Sequence, residues 1–286
     1  MRTLFVVATP IGNLEDITLR ALRVLREVGL IAAEDTRTTR ILLRKHGITT
    51  RLISYNEHNM AVRTPKLLAV LESSDVALVS EAGTPGVSDP GHQLIVAALQ
   101  AGLPVVSIPG PSAVVAALTT SGLPMREFTF IGFLPRRSGE RRRALSKLAG
   151  EPRTLVCFES PHRVLRTLED IYATLGDRRI AVCRELTKAF EEVFRGSVSE
   201  ALLHFAEPRG EFTLVIDGAL EGTDEADDAT IIRELKRRLG DGSSARDAAA
   251  QVAAGLRVPR RRVYKLSLRL RSATSPRRKA RPSAGR

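Results

Sequence analysis

The residues of this chain best suited to chemistry gather in short loops that follow apolar runs. Three such loops are ATPIGN (8–13), SEAGTPGVSDPG (80–91) and PGPSAV (109–114). Glycine supplies positive φ and close approach, while proline fixes φ. The middle loop, with three glycines, two prolines and two carboxylates, is therefore a stiff shaped segment, though an ordinary strand-to-helix turn has similar composition. No G-x-G-x-x-G for a dinucleotide and no G-x-x-x-x-G-K for a nucleoside triphosphate accompanies the three loops. Backbone amides and carbonyls, with the small hydroxyls of Thr84, Ser88 and Ser112, suit a compact polar ligand whose reactive part is not phosphate. GPSAV resembles a nucleophile elbow, and ESPHR sets His162 near Ser160, but Val114 stands where the elbow needs its last glycine. Metal hydrolysis finds no paired histidines or carboxylate-rich spacing of the usual kinds.

The elements that must position these loops follow from the rhythm of the chain. TLFVVA, LIAAE, RLIS, DVALVS and PVVSIP are apolar, β-branched runs, mostly separated by helical patterns such as the one through Leu19, Leu22, Leu25 and Val28. That alternation predicts a βαβ sheet, whose strand ends share one edge and gather the loops around one crevice. The order pauses at SGLPMR, then EFTFIGF, TLVCFE, RIAVC, EEVFRG and EFTLVIDGA predict a second α/β domain. The expected organisation is an α/β domain over 1–122, a second over 123–220, an acidic linker over 221–229, a helical extension over 230–271 and a basic, disordered tail over 272–286. In the extension, a helix to about Ala254, a turn at Gly255 and a helix opening at Pro259 resemble a helix-turn-helix. Val263, Leu266 and Leu270 would be buried and Arg260, Arg261 and Arg262 left for solvent or phosphate. A plain helical hairpin fits the same pattern.

Charge adds a second constraint. Of the 44 basic residues, twelve lie from Arg257 onward, where there is no acid, and the remaining 32 balance the 32 acidic residues. Every excess positive charge therefore sits near the C-terminus, which points to a polyanion, with nucleic acid first, or to a solubilising tail. No 18-residue apolar run occurs and the opening apolar patch is too short for a signal segment, so neither a membrane partner nor export is expected and the chain reads as cytoplasmic. Cys157 and Cys183, alone in mid-strand, read as reduced core thiols.

Taken together, ATPIGNLEDITLRAL, AAEDTR, SEAGTPGVSDPG, IPGPSA, ESPHR and RELTK make residues 2 to 219 resemble the ribosomal RNA small subunit methyltransferase I family, within the tetrapyrrole methylase fold. The resemblance implies two α/β domains, S-adenosylmethionine as methyl donor with no metal, and transfer to the ribose 2′-oxygen of a cytidine in the decoding region. The partner it implies is small-subunit ribosomal RNA or the assembled small subunit, and the state a homodimer. Carried onto this sequence, it implies donor contacts from Pro10, Gly83, Thr84, Pro85, Val87, Ser88, Ser112 and Ala113, completed by Glu159, Ser160, Leu186 and Thr213 of the second domain. Thr38 departs from the family, many of whose members carry histidine there.

Methyl transfer from a sulfonium needs the acceptor oxygen held in line behind the methyl carbon, and a ribose hydroxyl is helped by a group that draws off its proton. Glu34, Asp35, Glu185 and Lys188, with Glu57 and His58 behind them, are the candidates for that role. Lys188 qualifies only if its pKa is lowered, and Glu185, three residues earlier, would instead keep it charged. Arg37 and Arg40, on one helical face after Glu34 and Asp35, could grip ribose and phosphate or form surface ion pairs; Arg136, Arg137 and Arg141 offer a further RNA contact or a solvated loop. The alternatives are a methyltransferase of the same fold with a tetrapyrrole or other small substrate, and a non-catalytic RNA-binding module.

Overall fold

In a computed structural model, the structure describes residues 2–219, 228–240, 243–256, 258 and 260–274. Two compact units divide the chain, Met1–Ala219 and Leu220–Arg286. The acidic stretch through residue 227 and the basic tail from residue 275 lie outside the described residues.

The first unit holds two five-stranded sheets. In the first, β1 (Leu4–Val7), β2 (Leu30–Ala33), β3 (Leu52–Ser54), β4 (Val76–Val79) and β5 (Val105–Ile108) lie in the order β3-β2-β4-β1-β5, every neighbour parallel. Crossovers are made by α1 (Leu19–Glu27), α2 (Thr36–Lys45), α3 (Met60–Leu71) and α4 (His92–Gln100). β2 and β4 are buried along their whole length, as strands covered on both faces must be. One core, with Leu25, Ile31 and Val79, lies under α1 and α2; another, with Tyr55, Leu67 and Leu94, lies under α3 and α4. The helices start where side chains satisfy free amides: Thr18 accepts from the Ala21 amide at 3.1 Å and Asp35 from the Arg37 amide at 2.7 Å.

Helix α5 (Ala113–Ser121) ends at Gly122 in the left-handed conformation and leads to the second sheet. Its strands are β6 (Phe128–Phe133), β7 (Thr154–Glu159), β8 (Arg179–Arg184), β9 (Glu192–Ser197) and β10 (Phe212–Ile216), in the order β6-β7-β10-β8-β9. Only β6 and β7 are parallel; β10 runs antiparallel between β7 and β8, so its first residues lie beside the last residues of both. α6 (Ser138–Lys147), α7 (Val164–Leu175) and α8 (Val198–His204) accompany the core of Leu145, Leu168, Ile180 and Leu214. The opposite face of the sheet receives α5: Val114, Ala117 and Leu118 pack with Val156, Ala181, Cys183 and Val215. This cluster seats the second sheet against the first lobe, and both cysteines are buried free thiols.

The basic stretch at the start of α6 corrects one expectation. Arg141 is 2% exposed, not on an RNA-facing surface. Its guanidinium meets Asp170 at 2.6 Å and donates to the carbonyls of Pro135 and Arg136. Helical periodicity turns this one arginine of the run inward, while Arg136, Arg137, Arg142 and Arg143 remain exposed.

The second unit is a helical cluster, in which the expected pair of helices is joined by one more before it. α9 (Asp228–Gly240), α10 (Ala245–Gly255) and α11 (Arg260–Thr274) share a core of Ile231, Leu235, Ala249, Val252, Val263 and Leu266, with Leu270 at its margin. α9 starts inside the segment read as linker, because Ile231 and Leu235, four apart, give it one apolar face. Arg262 pairs with Asp228 at 2.9 Å, so this arginine is engaged within the unit, in contrast to the free phosphate contact expected of it.

Candidate active site

The carboxyl ends of the first sheet and the rim of the second enclose a cleft of about 500 Å³. Main chain braces one part of it. Thr9 and Gly83 exchange backbone hydrogen bonds of 2.8 and 3.0 Å, tying the loop after β1 to the loop after β4. Gly83 has φ of 77°, a conformation that disfavours any side chain, which is the requirement behind the glycine-rich loop. Beside it, Ile11, Thr84, Val87, Ser112 and Ala113 line the cleft from the first lobe. From the second lobe come Glu159 and Ser160 at the end of β7, Leu186 after β8, and Glu211 to Thr213 at the start of β10, which the antiparallel placement of β10 brings to the same rim.

Three expected donor contacts stand off this lining. Pro10 and Pro85 are buried behind it, and Ser88, at φ of 66°, sets its hydroxyl beside Gly132 of β6. Conversely, Glu81, Asp89, Phe133, Phe158 and Glu211 line the cleft without having been singled out. Glu81 and Asp89 are the two carboxylates of the middle loop, so their signal was present but had no assigned role. Phe133 and Phe158, with ring centres 5.6 Å apart, come from strands that pattern alone marks only as apolar.

Electrostatics separates the proton-acceptor candidates. Asp35 caps α2 and takes Arg37 at 2.7 Å, which holds its carboxyl down at about 2. Lys188 lies 2.9 Å from Glu185 and 2.8 Å from Glu211. Burial works against its charge, but the two carboxylates outweigh it and raise the lysine above its ordinary value. Lys188 is therefore a fixed cation, which corrects its assignment as a base. Glu185, also despite burial, is lowered by Lys188 and by the Glu211 amide that donates to it at 2.9 Å. Asp35, Glu185 and Lys188 are not among the residues lining the cleft; Glu34 is. Burial, followed by the charges of Glu81, Glu57 and Asp35, raises Glu34, although its Oε2 accepts the Glu81 amide at 3.1 Å.

Glu159 is 2% exposed and satisfied on all sides: it accepts from the Ser160 amide at 2.8 Å and Thr167 Oγ1 at 2.6 Å, and pairs with Arg163 at 3.2 Å. Arg163 in turn donates to the Leu134 carbonyl at 2.6 Å, connecting the cleft to the segment that carries Arg136 and Arg137. On the other side, the turn after β8 meets the first lobe where the Thr187 hydroxyl accepts the Asn13 amide at 3.0 Å. Arg37 and Arg40 are exposed on α2.

In all, five carboxylate side chains, of Glu34, Glu81, Asp89, Glu159 and Glu211, line the cleft, and no lysine or arginine does among the described residues. Glu159 and Glu211 carry Arg163 and Lys188, so the uncompensated charge is that of Glu34, Glu81 and Asp89, which suits a ligand with positive charge. S-adenosylmethionine passes this test: its sulfonium and ammonium match the carboxylates, and its adenosine matches the apolar and hydroxyl-bearing surfaces.

Comparison with known proteins agrees with this geometry. The family model of Tetrapyrrole (Corrin/Porphyrin) Methylases matches residues 3–202. A relative named Ribosomal RNA small subunit methyltransferase I from Halalkalibacterium halodurans is 44% identical over 92% of this chain and 94% of its own length. One of the same name from Synechocystis sp. is 46% identical over 94% of this chain and 99% of its own. A third, from Thermotoga maritima, is 51% identical over 221 residues that make up 76% of this chain and 99% of that relative. Among solved structures, the fold is similar to diphthine synthase (TM-score 0.60, 15% identity, 76% of this chain and 90% of that one). It is also similar to uroporphyrin-III-C-methyltransferase from Thermus thermophilus (TM-score 0.53, 23% identity, 76% and 94%). The chain therefore belongs to the tetrapyrrole (corrin/porphyrin) methylase family, among relatives named ribosomal RNA small subunit methyltransferase I.

Proposed function

We propose that this protein methylates small-subunit ribosomal RNA from S-adenosylmethionine, at the ribose 2′-hydroxyl of a cytidine in the decoding region. The observation that carries the reading is the acidic cleft without a lysine or arginine in its lining, in a chain whose relatives of 44% and 46% identity bear an RNA methyltransferase name. The bound donor supplies a methyl group activated by its positive sulfur. The residues do the rest. The Gly83–Thr84 main chain and the hydroxyls of Ser112, Ser160 and Thr213 orient the ligand, Leu186, Val87 and Ile11 exclude water, and the carboxylates favour its cationic charge.

The exposed arginines Arg37, Arg40, Arg136 and Arg137 lie outside the lining and would meet RNA phosphates, leaving a single ribose to enter. Arg260 and Arg261, whose side chains lie outside what the structure describes, and the tail cations would add charge contacts to the RNA. The Thermotoga maritima relative, matched nearly whole by a stretch as long as the two-sheet unit, favours the two sheets as the catalytic part and the helical unit as an auxiliary binder. The family resemblance further leads us to a homodimer working in the cytoplasm.

The test has two arms: calorimetric binding of S-adenosylmethionine, and transfer of radiolabelled methyl to small ribosomal subunits from cells lacking the protein, followed by nuclease mapping. Saturable donor binding and label in one 2′-O-methylcytidine are expected. Donor binding without label in RNA would move the reading to a small acceptor, and no donor binding to an RNA-binding module.

A further inference from the structure

Acceptance of a proton from a ribose hydroxyl requires a carboxylate that reaches the cleft and is not already consumed by another contact. Asp35 is held by Arg37, Glu185 by Lys188, and Glu159 by Arg163, Thr167 and the Ser160 amide. Glu34 spends one oxygen on the Glu81 amide, Glu211 takes Lys188 at 2.8 Å, and Glu81 is exposed to solvent at the edge of its loop.

Asp89 is partly buried in the cleft with the Ser80 hydroxyl beside it and, among the described residues, no ion pair. It lines the cleft from the loop after β4, between Ser88 at φ of 66° and the Pro90–Gly91 turn that opens α4, so its backbone is tightly defined. The titratable groups acting on it are Glu34, from the turn after β2, and Glu81, from its own loop, and both are negative; Glu159 and Glu211 line the same cleft from the second sheet. Burial first and Glu34 next push its carboxyl up to about 7, against the pull of the Ser80 hydroxyl. A carboxylate poised near neutrality is a far better base than one at its ordinary value of 3.8.

We propose that Asp89 is the catalytic residue that receives the proton of the acceptor ribose hydroxyl during methyl transfer, an assignment that rests on the function proposed above. The step balances without a co-reactant: the hydroxyl oxygen forms the new bond to the methyl carbon, the carbon–sulfur bonding pair stays on sulfur, and the proton passes to the Asp89 carboxylate. Glu34 acts as the positioning charge that keeps Asp89 basic enough to take it.

The experiment combines single-turnover methyl transfer to small ribosomal subunits between pH 5.5 and 9, calorimetry with S-adenosylmethionine, and carbon-13 NMR titration of aspartate carboxyls in the whole protein. The wild-type rate is expected to rise with pH and level off above an inflection near 7, where one carboxyl resonance also titrates. Asp89→Asn should lose that resonance and slow transfer about 100-fold at saturating donor, a loss well beyond the weaker donor binding that removing one cleft charge brings. Glu34→Gln should move both inflections to lower pH, since it removes a charge that raises Asp89. Transfer by Asp89→Asn within about threefold of wild type, a rate loss matched by lost donor affinity, or no aspartate titrating above pH 6 would each overturn the assignment. The NMR arm uses the wild-type protein and stands even if a variant fails to fold. Wild-type protein that binds donor but labels no RNA would overturn the function and the assignment with it, and only the wild-type arm yields that result.

Discussion

The cleft-lining carboxylates of the first lobe and the acids buried in the second live under opposite rules. At the rim of the parallel sheet, Glu34, Glu81 and Asp89 crowd one another, and burial and mutual repulsion raise Glu34 and Asp89. In the mixed sheet each buried acid has a cation at hand: Asp170 has Arg141 and Arg142, Glu159 has Arg163, and Glu185 has Lys188. The paired set holds helices and turns in place, whereas the crowded set, denied compensation, is available to a cationic ligand or a proton. Negative charge alone thus says little about role; the partner decides.

The comparison is broken most directly at Asp170. Its pair with Arg141 is buried on both sides, each side chain 3% exposed, so Asp170→Ala should destabilise the protein by about 3–5 kcal/mol in urea unfolding. Loss of less than about 1 kcal/mol would remove the structural role assigned to the paired set. Next in size, Gly83→Ala places a side chain at φ of 77° and should cost about 1–2 kcal/mol, with weaker S-adenosylmethionine binding by calorimetry.

A pH series sharpens the contrast through its sign. Asp89 is raised from 3.8 to about 7, so its contribution to stability is fully present below about 4 and is lost as pH rises through 7. Asp170 is lowered, despite burial, by its bonds to Arg142, Ser138 and Arg141, so its contribution is present above the ordinary carboxylate value and lost in acid. Melting temperatures of Asp89→Asn should accordingly gain on wild type between pH 5 and pH 8, while Asp170→Asn should stay below wild type by a constant margin over that interval and close the gap only in acid, below the ordinary carboxylate value. The smallest effect is expected at the surface: Arg136→Ser with Arg137→Ser should flatten the slope of log affinity for ribosomal RNA against log salt by about 1–2, leaving stability unchanged. Unaltered slopes would remove those arginines from the RNA path.

How much was legible follows the range of the interactions involved. The apolar runs of four to six residues and the glycine and proline clusters after them are local, and they marked both sheets and the loops that wall the cleft. Arg141 was misjudged because its neighbours on the chain are exposed arginines, while the acid that turns it inward, Asp170, is 29 residues away. Asp89 was visible as a carboxylate but not as a perturbed one, since its environment depends on Glu34 from a different strand. The first helix of the second unit falls within the helical extension expected from residue 230, but its opening turn lay in the acidic stretch taken for linker, because no bulky apolar residue marks it before Ile231.

The exchange of backbone bonds between Thr9 and Gly83 has a consequence for redesign. Peptide groups cannot be swapped by point substitution, so the tie between these two loops is a fixed brace whatever the amino acids around it become. Retargeting the enzyme to a new acceptor would start from side chains of the lining that have no part in the donor site proposed above, Phe133 and Phe158. A library confined to those two positions should change which molecule is modified long before it changes who donates the carbon.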